Sequence, residues 1–220
     1  MFRSIDVPAY EQRVALLPKP LAVRLAGVYK PLPVDARGRA LSQPVNGPEF
    51  DIPPAGHRLV LVEGDLRVEG DINMHDLPAK GEDIASVLVV TGNLTCDRLI
   101  NSWAGAVLVG GDLVVHDVFV NSFENACASV MGRARVHFYH GQDTWLEVQG
   151  GAEMRFGDGY ALPRGFRDHR AERMLPEADA EASYAAYGFS DGPLWQRSGA
   201  FLGALHRGEL PFRPEPAASK

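Results

Sequence analysis

Cysteine is almost missing from this chain. Cys96 and Cys127 are the only two in 220 residues, so no disulfide framework is expected and the fold must rest on packing and hydrogen bonds, in a reduced, cytoplasmic setting. No apolar run approaches the roughly 18 residues of a membrane span, and no membrane association is expected. Positive charge is in deficit: the formal net charge of -6 argues against a general nucleic-acid binder, which draws on basic surface. The first residues, Met1-Phe2-Arg3-Ser4-Ile5-Asp6, lack the charged and apolar regions of a secretory signal. Enzyme signatures are missing too. There is no Gly-x-Ser-x-Gly, no phosphate loop, no His-Glu-x-x-His and no Gly-x-Gly-x-x-Gly opening a helix.

What the chain does have is a repeated frame. With 45% apolar and 23% charged residues, it has the composition of one soluble globular domain with appendages. Around Gly111, apolar residues fall four and two places before it and two and four after it: Val107, Val109, Leu113 and Val115. That is the alternation of a strand with one buried face. The same frame on Gly64 gives Val60, Val62, Leu66 and Val68, and on Gly92 it gives Leu88, Val90, Leu94 and Cys96. On Gly132 it gives Ala128, Val130, Ala134 and Val136, and on Gly150 it gives Leu146, Val148, Ala152 and Met154. The last four origins lie 19, 21 and 18 residues apart, the period of a solenoid.

A meander of hairpins also takes about 20 residues per pair of strands. It would place turn dipeptides such as Asn-Gly between the runs, and none is there. Instead a Gly followed by Asp65, Asn93 or Asp112 recurs in the middle of an apolar stretch, which suits a bend between two strands of one coil. Asn101-Ser102-Trp103 is followed 20 residues later by Asn121-Ser122-Phe123, so like residues stack above like. The expected fold is mainly β: a single-stranded parallel β-helix, or solenoid, of about five coils, with an irregular or helical N-terminal cap and a helical C-terminal segment.

Three segments follow: an N-terminal arm and cap over 1–57, the solenoid over 58–161, and a helical segment with a flexible tail over 162–220. In the arm, Pro18 and Pro20 keep any helix short or broken. Beyond the solenoid, the Ala-rich stretch Glu177 to Tyr187 reads as a helix stopped by Gly188. Pro193 to His206 reads as a second helix with an apolar stripe of Leu194, Trp195, Phe201 and Leu205. Outward positions of the third coil, Leu108 and Val114, together with Val89, are too apolar for open water and need a cover; the C-terminal helix is expected to supply it.

Candidate chemistry is sparse. His116 and His137 both fall five places after their glycines and should be neighbours in a stack, with His140 close by. Neutral imidazoles ligate zinc, but no fourth ligand stands out, so ordinary packing is expected, with no metal and no cofactor. Asp65, Asp97, Asp112 and Glu153 could supply the clustered carboxylates of a β-helix carbohydrate enzyme, yet a bend role explains Asp65 and Asp112 better. No catalytic residue is therefore assigned. The insertion between Asn73 and Ser86 leaves the ladder on one side, where solenoids often bind partners. Its Met74, His75, Asp76, Glu82 and Asp83, beside the corner bearing Trp103, form the candidate partner-binding set.

The Val-x-Gly-Asp-Leu-x-Val rungs at Val62–Val68 and Val109–Val115, then His137-Phe138-Tyr139-His140-Gly141, then the segment ending Ala204 to Arg213, resemble bacterial polymer-forming, bactofilin-like β-solenoid proteins. The similarity spans about Leu59 to Arg213. Such relatives include cytoskeletal polymers and small cytoplasmic proteins of toxin systems, immunity proteins among them. The long N-terminal arm and helical C-terminal segment depart from simple bactofilins and would obstruct end-to-end stacking of coils. The resemblance thus implies a non-enzymatic immunity protein that binds a toxin directly, alone as a monomer or homodimer. A bactofilin-like scaffold is the alternative, and a carbohydrate-active enzyme the second alternative.

Overall fold

Five glycines spaced along the sequence become one column in space. In the computed structural model, which describes residues 7–28, 58–74, 86–102, 105–122, 126–142, 144–159, 163–164 and 177–211, the Gly92 N–H donates to the Gly64 carbonyl at 2.9 Å. Gly111 donates to Gly92, Gly132 to Gly111 and Gly150 to Gly132, all at 2.8 to 2.9 Å. The residue after each of the first three glycines adds a second ladder. Asp65 Oδ1 accepts from the Asn93 N–H at 2.7 Å, Asn93 Oδ1 from Asp112 at 2.8 Å, and Asp112 Oδ1 from Arg133 at 2.8 Å. Glycine is required here by close approach. A Cβ on Gly111 would sit 2.3 Å from Asn93 Oδ1 and 2.9 Å from the Gly92 carbonyl carbon, inside contact distance.

These bends join the strands of a parallel solenoid. Its elements are β1 (Arg58–Val62), β2 (Leu66–Arg67), β3 (Asp71–Asn73), β4 (Ser86–Val90), β5 (Leu94–Cys96), β6 (Arg98–Ser102), β7 (Ala106–Val109), β8 (Leu113–Ser122), β9 (Cys127–Val130), β10 (Ala134–Gln142), β11 (Trp145–Val148), β12 (Ala152–Gly159) and β13 (Pro163–Arg164). One sheet stacks β1-β4-β7-β9-β11-β13, and a second stacks β2-β5-β8-β10-β12 with β3 and β6 alongside. Every strand pairing among the described residues is parallel. A hairpin meander, which pairs antiparallel, is excluded.

Each coil has three sides. The first is the β1–β13 sheet; the second is β2, β5 and the opening halves of β8, β10 and β12; the third is β3, β6 and their closing halves. All twenty residues of the glycine-centred frame belong to one apolar cluster: fifteen are buried, and Val60, Val62, Leu66, Val68 and Met154, at its two ends, are partly buried. The third side adds Ile72, Met74, Leu99, Phe119 and Tyr139 to it, with Phe119 and Tyr139 meeting edge to face at 5.4 Å. Both cysteines are free and buried. Burial pushes the Cys96 thiol up to about 12 and that of Cys127 to about 11, so neither is a thiolate nucleophile near neutral pH.

The first side is covered by α1 (Val7–Leu16) and α2 (Lys19–Val28). The break at Pro18 divides them, and Pro20 sits in the first turn of α2, where its missing N–H costs nothing. Leu21 and Leu25 are fully buried against Val87, Val89, Ala106 and Leu108. Arg24 adds a hydrogen bond of 2.6 Å to Glu147 and lies 5.4 Å over the Trp145 ring. The cover over Leu108 and Val89 is thus N-terminal, which corrects the expectation that the C-terminal helix provides it. Val114 belongs to the second side and is half-buried without a helix over it.

The third side is covered by α3 (Glu177–Ala186) and α4 (Leu194–His206). Tyr184, Tyr187, Phe201, Leu202 and Leu205 bury Ile100, Val118, Val120 and Phe138. Phe138 and Phe201 stack at 4.8 Å. Trp195 departs from expectation: it is 71% exposed. Leu194, Phe201 and Leu205 share a face by their spacing, and Trp195 lies about 100° round the helix from Leu194, on a flank with exposed Gln196 and Gly199. Both helix pairs pack against sides of the coil; the rest of the non-repeat segments from which an obstruction to end-to-end stacking is expected, residues 1–6, 29–57, 162, 165–176 and 212–220, lies outside the described residues.

Val115 points into the core and Val114, one residue earlier, points out. Val115→Asp should cost on the order of 3 kcal/mol or more, because it buries an unpaired carboxylate, while Val114→Asp should cost less than about 1 kcal/mol. Urea unfolding of the two variants checks the assignment. Equal costs would contradict it.

Candidate protein-binding site

The corner at which the third side returns to the first is fastened by stacked asparagines. Asn101 and Asn121 pair in register at the ends of β6 and β8. Asn101 Nδ2 donates to Asn121 Oδ1 at 2.8 Å and to the Cys127 carbonyl at 2.9 Å, and Asn121 Nδ2 donates to the Trp145 carbonyl at 3.2 Å. Each amide therefore ties the end of one strand to the start of a later one. Both side chains are buried, where a lost partner is costly. This is the stacking of like on like expected from the Asn-Ser repeat.

Met74 and Ser102 close the third side of successive coils, and Ser86 and Gly105 lead into the first side of the coils that follow. Met74 itself is withdrawn from the candidate partner-binding set. It is 1% exposed and packs in the inner core, with its N–H donated to the Ile100 carbonyl at 2.8 Å, so it anchors the excursion and presents nothing to a partner. Its apolar character was the available signal. His75, Asp76, Glu82, Asp83 and Trp103 lie outside the described residues.

The second side is the one that neither helix pair covers. Its outward row runs Arg67, Thr95, Val114, Arg135, Glu153, each in register with the next. A shallow depression of about 300 Å³ lies around Val114, rimmed by Asp112, Arg133, Arg135 and Glu153. Arg133 reaches Glu153 at 3.8 Å across exposed surface, a pair worth little. Sequence reasoning missed this row because a single outward residue per coil forms no local motif; only the register makes it a line.

The residues weighed for chemistry are mostly in structural use. Asp65 and Asp112 are bend acceptors, as described above, and Asp97 stands at the second corner, its N–H on the Gly70 carbonyl and its carbonyl taking the Asp117 N–H. That ladder makes His116 an inserted residue: the register of β8 and β10 shifts there, so that Val115 faces Val136 but Val118 faces Phe138. The expected one-to-one pairing of His116 and His137 is replaced by a bulge, with His116 half-buried and His137 buried. No group of three His, Cys, Asp or Glu able to hold a metal occurs among the described residues.

The bulge turns Asp117 beneath the C-terminal cover. There its carboxylate takes Arg98 Nε at 2.7 Å and the Tyr187 hydroxyl at 2.6 Å, while Arg98 Nη2 donates to the Leu210 carbonyl at 2.8 Å. On the first side, burial alone would raise the Glu147 carboxyl, but the Arg24 hydrogen bond, Ser129 and the Arg24 charge outweigh it and hold it below its usual range.

His140 lies in a third polar contact under the same cover. Its Nδ1 is 2.9 Å from the Tyr184 hydroxyl, which donates to Asp158 Oδ2 at 2.8 Å. Because that hydroxyl spends its proton on the carboxylate, His140 Nδ1 carries the proton it shares with Tyr184, and Nε2 is bare and buried. Burial holds the imidazole down to about 4, against a smaller upward pull from Asp158. A depressed folded value means that neutral His140 supports the fold above its ordinary 6.5, and that this support is lost as pH falls from 6.5 toward 4. The stability advantage of the natural chain over His140→Gln should therefore shrink across that window in urea titrations at stepped pH. A pH-independent difference would contradict the assigned tautomer and burial.

No protein-family model, no curated protein and no solved structure matches this chain.

Proposed function

We propose that this chain is a non-enzymatic protein-binding β-solenoid, and specifically an immunity protein that neutralises a bacterial toxin by direct binding in the cytoplasm. The observation that carries the reading is the fastened corner: stacked Asn101 and Asn121 tie the ends of the third-side strands to the starts of later first-side strands, next in sequence to the candidate Trp103. A corner ordered in advance lets a repeat fold bind a partner at low ordering cost. Asp76, Glu82 and Asp83 would steer a basic partner, in keeping with the net charge of -6, and Trp103 would contribute more of the affinity. Among the described residues, no helix is long and apolar enough to cross a membrane.

One observation favours the scaffold reading instead. Val60, Val62, Leu66 and Val68 at the first coil and Met154 at the fifth are only partly buried, and a second solenoid stacked end to end would cover them. Polymers visible by electron microscopy of the purified chain would support that reading and displace the first.

Co-expression with a toxin encoded beside this chain tests the immunity reading. The intact protein should restore growth and co-purify with the toxin in a fixed stoichiometry. Changing Asp76, Glu82 and Asp83 together to Ala should weaken the complex at least tenfold while leaving the melting temperature unchanged. No rescue and no complex with the intact protein would overturn the function; rescue untouched by the triple change would move the site elsewhere.

A further inference from the structure

The open second side has an order of residues that its own copy can read. From the first coil to the fifth, its outward row is cationic Arg67, polar Thr95, apolar Val114, cationic Arg135 and anionic Glu153. Arg67, Arg135 and Glu153 are exposed, and Thr95 and Val114 half-buried. The middle coil thus holds the row's one apolar side chain, and the two ends hold opposite charges.

We infer that this side is a self-complementary surface on which two copies of the chain pair end for end, about a two-fold axis through Val114. In that arrangement the first coil of one copy faces the fifth of the other. Arg67 meets Glu153 of the second copy at both ends of the strip, Thr95 faces Arg135 with Asp97 beside it, and Val114 meets its own equivalent at the centre. An isologous contact requires this reciprocity of residue i with j and j with i. Asp112 falls beside the axis, where it approaches its own copy, and Arg133 of either copy, one rung away, offsets that repulsion. Turning the second copy the other way, so that equal coils face each other, would set Arg135 against Arg135 and Glu153 against Glu153. Charge selects the end-for-end orientation.

The charge of Asp112 is also not needed by the bend. Asn93 fills the same place one coil earlier and offers the same Oδ1 acceptor, so a neutral amide would serve the fold equally well. Four rung spacings make the strip roughly 20 Å long, and at three residues wide it is severalfold smaller than the roughly 800 Å² per partner of a standard interface. The pairing is therefore weak, concentration-dependent and sensitive to salt. It uses none of the residues of the proposed toxin site, and it stands whether or not the immunity reading does.

Sedimentation velocity of the full chain between about 5 and 500 μM checks the inference. At low salt the weight-average mass should rise with concentration from 23.9 kDa toward twice that value, and not beyond. Arg67→Glu and Glu153→Arg should each weaken association at least fivefold, and the two together should restore it, because the reversed charges again face each other. Val114→Asp should abolish it while circular dichroism and melting stay as in the natural chain. Mass that remains monomeric throughout, association unaffected by Val114→Asp, or a double reversal no better than the single changes would each overturn the proposal.

Discussion

The fold depends on one repeated hydrogen bond, from the N–H of each bend glycine to the carbonyl of the glycine a coil below. It sets the register of the whole stack, because a strand that slipped by one residue would turn its apolar set outward. The Asx acceptor after each of the first three bend glycines closes a second bond to the next coil, so those bends are held from two directions. Between Gly64 and Gly92 the chain inserts a long excursion, yet the bond is restored at 2.9 Å. The longer stretch between these two glycines therefore leaves the frame intact.

From that frame the remaining surfaces follow. A three-sided coil with apolar outward residues on two sides cannot be left bare. The chain covers the first side with Leu21 and Leu25 and the third with Tyr184, Phe201 and their neighbours. Each cover is fixed by polar anchors: Arg24 to Glu147 on one side, and on the other the Tyr187 hydroxyl to Asp117 and the Leu210 carbonyl to Arg98, which itself pairs with Asp117. Ion pairs withdrawn from water add little net stability, but a charge left unpaired there is costly, so these contacts hold each cover in place. The second side keeps its polar outward row free of either helix pair.

Much of this was legible in the sequence because alternation and period are local quantities that stacking leaves intact. The twenty frame positions, both C-terminal helices and the Asn101–Asn121 column are all readable from the sequence alone. The failures share a cause. Met74 was read as part of an exposed loop, although it closes the core of the first coil. Leu108 was correctly read as needing a cover, but which helix supplies it depends on which side of a three-sided coil it occupies. The His116 and His137 count failed at a bulge, where one extra residue shifts every position after it. Trp195 was counted into an apolar stripe that it only borders. The row from Arg67 to Glu153 could not be seen at all without the register.

Amide hydrogen exchange at the glycine column measures the central claim most directly. Gly92, Gly111, Gly132 and Gly150 sit in short bends near the surface, where ordinary turn amides exchange quickly. If each N–H is bonded to the coil below, these four amides should exchange only on global unfolding, as slowly as those of Val109 and Val130 in the core strands. Exchange at the rate of an unprotected loop, with the core strands still protected, would contradict the stacked bends on which the account rests.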